Sequence, residues 1–120
     1  MDMVDRAEAL LAYLTTSTAL VTMVGERIYQ PWPPVFNVFP MVSFSCVVNR
    51  PETADDREMG SVIEYKFDFW GINSLTDLKI LVTDLMEDWD YLRTAYRENT
   101  EKDTGILHDT IVYQGSHWTG

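Results

Sequence analysis

Strict alternation of apolar and polar residues marks Val62–Trp70. Ile63, Tyr65, Phe67 and Phe69 fall on one side of the chain, and Glu64, Lys66 and Asp68 on the other. A period of two predicts a half-buried antiparallel strand. Gly71-Ile72-Asn73 ends it, and Ser74-Leu75-Thr76-Asp77 has capping-box spacing, with Ser74 as N-cap and Asp77 at N3. Beyond the cap the apolar residues switch to helical spacing at Leu75, Leu78, Val82, Leu85, Trp89 and Leu92. A helix fed so directly from a strand folds back and lays its apolar stripe on the strand's apolar face. Ser61 to Tyr91 therefore predicts the centre of an α+β layer.

The flanking patterns extend it. Val4, Ala7, Leu10, Leu11 and Leu14 make one face of a helix from Asp2 to about Thr15. Ser17 or Thr18 caps a short helical stretch from Ala19 to Val24, and Gly25 stands where a helix closes with a left-handed residue. Arg27-Ile28-Tyr29 reads as a short strand or extended exit. Gln30 to Pro40 holds four of the five prolines, Pro31, Pro33, Pro34 and Pro40, which makes it an extended surface segment rather than a strand. In Met41–Asn49, Val42, Phe44, Cys46 and Val48 share one face of a second strand. Arg50 to Gly60 is polar and charged and reads as a hairpin loop. Asn99 to Gly105 reads as the loop after the main helix, and Ile106 to Gln114 as a last strand. The sum is one α+β domain over residues 1–120, an antiparallel sheet flanked by an N-terminal helix and one long helix.

Composition narrows function by exclusion. A chain of 120 residues with 46% apolar content is one globular domain. Its net charge of −10 and pI near 4.4 repel nucleic-acid phosphate, and its nine Lys and Arg form no stripe, which excludes a DNA-binding module of the basic kind. Cys46 is the only cysteine, so no internal disulfide and no cysteine-based zinc site can form. No apolar run approaches membrane length, and no signal-like segment opens the chain. The expectation is a soluble protein of a reducing cytoplasm.

Candidate chemistry is sparse. His108 and His117 lack metal-ligand spacing, and Cys46 reads as a small buried hydrophobe. Asp84, Glu87, Asp88 and Asp90 lie on the polar side of the main helix, where carboxylates form a solvated face. No phosphate loop, nucleophile elbow or dinucleotide fingerprint occurs. The reading is a protein with no catalytic, cofactor or metal residues, not an enzyme. The aromatic residues suggest binding instead. Trp32, Phe36 and Phe39 in the proline-rich segment, Trp70 on the polar side of its strand, and Trp118 near the C-terminus are candidate interface residues. The proline-rich aromatic segment is either packed on its own domain or offered to a neighbour.

The order of these pieces resembles a known family. The phrases are Leu20-Val21-Thr22-Met23-Val24-Gly25 followed by Arg27-Ile28-Tyr29, Pro40 before Met41-Val42-Ser43-Phe44, and a strand ending in Trp70 before a helix from Leu75. Over Met3 to Tyr91 the chain resembles the tail-terminator, or tail-completion, proteins of long-tailed bacteriophages (minor tail protein U-like). The C-terminal part departs from that pattern, in which clear paired strands finish the chain. The resemblance implies a homo-oligomeric, six-membered ring that caps the tail tube and stops its polymerisation. It also implies a surface offered to the head connector, assembly in the host cytoplasm, and a final place in the virion at the tail end nearest the head. DNA would pass such a ring as cargo without specific binding, and an acidic lumen suits that; Glu52, Asp55, Asp56 and Glu58 are the candidate lumen-facing loop. Two other readings stay open: a head–tail joining or neck protein of similar fold, and a small acidic adaptor or inhibitor that binds a host protein.

Overall fold

Three helices and five strands follow one another as α1 (Met3–Thr15), α2 (Thr18–Val24), β1 (Ile28–Tyr29), β2 (Met41–Ala54), β3 (Arg57–Gly71), α3 (Thr76–Asp88), β4 (Leu92–Thr100) and β5 (Leu107–Trp118). The computed structural model describes residues 3–25, 27–30, 39–54, 57–100 and 105–118, and their side chains except those of 3–7, 48–61, 99–100 and 116–118. The strands make one sheet in the order β1-β2-β3-β5-β4. Its pairings are antiparallel except for β1 against β2, where Ile28 and Tyr29 run parallel to Val42 and Ser43.

The alternation of β3 decides which face is covered by helices. Ile63, Tyr65, Phe67 and Phe69 join Val42 and Phe44 of β2 and Ile111 and Tyr113 of β5 in one buried cluster. Leu10 and Leu14 of α1, Leu20 and Val24 of α2, and Leu78, Val82 and Met86 of α3 complete it. Phe67 is its centre, with the Phe44 ring at 5.4 Å and the Tyr113 ring edge-on at 5.3 Å. The α1 and α3 helices are also tied at their ends. Tyr13 donates from its hydroxyl to the Leu85 carbonyl at 2.7 Å and stacks on Trp89 at 4.9 Å. Ser17 caps α2 as expected, accepting from the Leu20 amide, and Gly25 takes a φ of 59° at the helix end.

The structure departs from the sequence reading in two details and three larger places. The N-cap of α3 is Leu75, without a side-chain cap, and Ser74 Oγ accepts instead from the Thr76 amide at 3.2 Å. In β2 a bulge between Cys46 and Val48 pairs Val48 with Glu64, out of step with the Val42–Cys46 face. First, α3 stops at Asp88, and Leu92 belongs to a strand rather than to the helical stripe. The stop is a Schellman motif: the Tyr91 amide donates to Met86 at 2.8 Å, the Asp90 amide to Glu87 at 3.0 Å, and Asp90 sits left-handed at φ 65°. Aspartate stands where glycine usually signals the end, so the apolar spacing runs on past it. Second, Leu92–Thr100 forms edge strand β4 instead of continuing as helix and loop, and β4 with β5 supplies the paired C-terminal strands missing from the sequence pattern. Every side chain from Leu92 to Glu98 is exposed, which removes the alternation that would announce a strand. Third, the stretch read as a hairpin loop is mostly ladder. Glu52 pairs with Gly60, Thr53 with Glu58 and Ala54 with Arg57. Pairing needs only backbone groups, so polar composition did not mark coil here.

Candidate functional site

The sheet face away from the helices carries a polar row that β3 and β5 build together. Register places Ser43, Asp68 and Thr110 side by side across β2, β3 and β5, with Trp70 next to His108 one step along the same face. Asp68 is 2% exposed and accepts from His108 Nε2 at 2.9 Å and from Thr110 Oγ1 at 2.8 Å; Lys66 Nζ lies 3.8 Å from its other oxygen. The Trp70 indole stacks on the His108 ring at 4.7 Å and 14°. A carboxylate is tolerated at this depth because donors and a cation surround it. Ser43 Oγ is buried in the same row without a hydrogen-bond partner among the described residues. The sequence reading placed Asp68 and Trp70 on a half-exposed polar side, and the structure corrects this: both are buried. The signal was the shared i, i+2 face of Asp68 and Trp70 against His108 and Thr110, legible only once the β3–β5 register is known.

A second cluster fastens β4 to α3. Lys79 Nζ lies 2.6 Å from Asp109 Oδ2 and 3.7 Å from Glu98, and donates to the Tyr96 hydroxyl, which in turn donates to Glu98. Burial pulls the Lys79 ammonium down, but its bonds to Asp109 and Tyr96 outweigh this and leave its pKa raised. Burial, then the Glu98 bond, pushes the Tyr96 hydroxyl up. Beside this cluster a groove of about 270 Å³ runs between α3 and β4, with Ile80, Thr83, Arg93 and Tyr96 on its walls. A larger groove of about 600 Å³ lies between α1 and α2, against Leu11, Ala12, Val21 and Ile28. Neither groove is lined by Asp68 or His108.

The candidate interface aromatics do not form one patch. Trp32 and Phe36 lie outside the described residues. Phe39 is half-buried just before β2, and Trp70 is 3% exposed. The backbone of Trp118 pairs with Gly60, whereas Trp70 pairs with His108 at the other end of β3. That separation is about 33 Å at about 3.3 Å per strand residue. Of the candidate lumen residues, Asp55 and Asp56 lie outside the described residues, and Glu52 and Glu58 are placed by backbone alone, near the hairpin tip. Asp84, Glu87, Asp88 and Asp90 are exposed along α3 and its end. Among the described residues no three His, Cys, Asp or Glu side chains are grouped to hold a metal ion, and no helix is long and apolar enough to cross a membrane.

What the sequence reading missed is the exposed apolar set among the described residues: Val21 on α2, Val47 on β2, Ile72 after β3, Ile80 on α3, and Leu92 and Tyr96 on β4. Leu92 was assigned to the helix stripe. Two of the three phrases behind the family resemblance meet in space. Arg27 Nε donates to the Pro40 carbonyl at 2.9 Å, and the Arg27 carbonyl accepts from the Val42 amide at 3.1 Å.

No family model matches the chain, and no curated protein matches it in sequence. Its fold is shared with a chain of the solved virion of a native gene transfer agent (GTA) particle, with a TM-score of 0.66 at 13% identity over 91% of each chain.

Proposed function

We propose that this chain is a structural virion protein that works by binding rather than catalysis. In this reading it caps the tail tube of a phage or phage-like particle as an oligomeric ring, hexameric in the family it resembles, ends tube polymerisation and presents a surface to the head connector. The observation that carries the virion role is the fold held in common with a chain of a gene transfer agent virion over 91% of both lengths. The terminator role rests in addition on the Gly25/Arg27-Ile28-Tyr29 and Pro40-Met41 phrases, which the fold joins at one edge of the sheet. Net charge of −10 suits a ring through which DNA slides without sticking.

The test adds the purified chain to growing tubes of the cognate tail-tube protein and follows them by negative-stain electron microscopy. Density at one end of each tube, with elongation stopped there, is the expected result. Tubes that keep growing with bare ends would overturn the terminator role. Binding to connector assemblies without binding to tubes would move the chain to the head–tail joining step.

A further inference from the structure

The sheet has two outer edges, and among the described residues both are open along most of their length. β1 covers only Val42 and Ser43, so β2 from Ser45 outward has no strand beside it, and β4 is paired with β5 on one side alone. Exposed edges are templates for another strand, and soluble proteins guard them with proline, lysine or bulges. The outer part of β2 is guarded by Pro51, which cannot donate to a ladder, whereas Ser45–Arg50 contains no proline or lysine and is interrupted by one bulge, at Val47 between Cys46 and Val48. β4 has neither residue in its nine positions, and its guards are a bulge between Arg93 and Ala95 and the exposed charges of Arg93, Arg97 and Glu98. These same edges display apolar side chains to solvent: Val47 is 50% exposed on β2, and Leu92 and Tyr96 are 66% and 43% exposed on β4.

Strand direction selects the partner. β2 is antiparallel to β3, β3 to β5 and β5 to β4, so β4 runs opposite to β2. A second copy rotated about an axis along the strands therefore presents its β2 antiparallel to β4 of the first, with the helices kept on the same side. We propose that β4 of one copy pairs with Ser45–Arg50 of β2 of a second copy, antiparallel and head to tail, so that the sheet continues from subunit to subunit. Two different patches meeting in this way is the arrangement that closes into a ring. The proposal rests on the self-assembly in the reading above and names the surfaces that carry it.

The test uses the full chain with a charge on either edge, Leu92→Lys or Val47→Lys, in native mass spectrometry and sedimentation up to about 1 mM, the weak end of specific association. Wild type associates. Each variant alone keeps its fold by circular dichroism and self-associates at least about tenfold more weakly. Mixing the two variants restores one interface, β4 of the Val47→Lys chain on β2 of the Leu92→Lys chain, and gives heterodimers that grow no further. A short bis-maleimide acting on the chain with Cys46→Ser, Val47→Cys and Leu92→Cys gives a ladder of crosslinked oligomers. Wild-type behaviour in both variants, absence of heterodimers, absence of the ladder, or a monomeric wild type at the highest concentration would overturn the proposal. Rings or tube caps formed by both variants would overturn it and leave the terminator reading standing. Edge-dependent oligomers that fail to cap tubes would do the reverse.

Discussion

Gly115 is the position where one added methyl group should do most damage. It lies in β5 directly beneath the ring of Tyr91, the residue that follows the Schellman turn of α3. A Cβ at Gly115 would stand 2.5 Å from Tyr91 Cε1, 2.6 Å from Cδ1 and 3.0 Å from Cζ. Carbon atoms rest at about 3.5–4.0 Å, so the ring must retreat by about 1 Å. It has little room to do so: Tyr91 is 1% exposed and has the Tyr65 ring at 5.8 Å and the Trp89 ring at 5.9 Å. Gly115→Ala should therefore cost close to the top of the usual range for overpacking, about 2–3 kcal/mol. For a domain of this size that lowers Tm by roughly 8–15 °C. The assay is a double-mutant cycle by denaturant unfolding with Tyr91→Leu, which removes the clashing ring edge at a cost of its own of about 2 kcal/mol. In the Tyr91→Leu background Gly115→Ala should cost less than about 0.5 kcal/mol, a coupling near 2 kcal/mol. Additive costs within about 0.5 kcal/mol would refute the argument that ring contact, rather than strand propensity, demands glycine here.

Three further outcomes follow from named contacts. Asp90→Gly should stabilise the chain by about 0.5–1 kcal/mol, because glycine takes the left-handed Schellman position without a Cβ and the change removes a negative charge from the helix C-terminus; urea midpoints measure it. Lys79→Met should cost about 1–3 kcal/mol at pH 7 by leaving Asp109 buried without its cation. Because the folded Lys79 pKa is raised, the stability it gives is complete below the unfolded value of about 10.4 and is lost as pH rises through the folded one, so the variant should flatten the alkaline limb of a stability–pH profile. Burial pushes the Tyr113 hydroxyl up to about 12. Its phenolate absorbance should appear about two pH units above that of an unfolded tyrosine, and its share of stability should be lost between about pH 10 and 12.

The core was legible because it is periodic. Ile63, Tyr65, Phe67 and Phe69 read as one face before any coordinates, as did the Leu78–Val82 stripe that packs on them. Helix α2 announced its start at Ser17 and its end at Gly25. What stayed hidden depends on pairing rather than on local pattern. The Asp68–His108–Thr110 cluster needs the β3–β5 register, and β4 has no buried side to print an alternation. The end of α3 was disguised by Asp90, which takes a left-handed conformation that sequence habitually assigns to glycine. Trp70 misled for a related reason: it lies on the polar side of its strand, yet the His108 ring lies flat against it. Charge marked the stretch around Glu52 and Glu58 as exposed but said nothing of its backbone, which runs as ladder nearly to the tip.

The most direct test of the terminator role is electron microscopy of lysates from a phage or phage-like element that lacks only this chain. Overlong tubes without heads, beside full heads without tails, are the predicted result. Tails of normal length with unattached heads would contradict termination and leave the joining step, and intact infectious or transducing particles would contradict a virion role altogether.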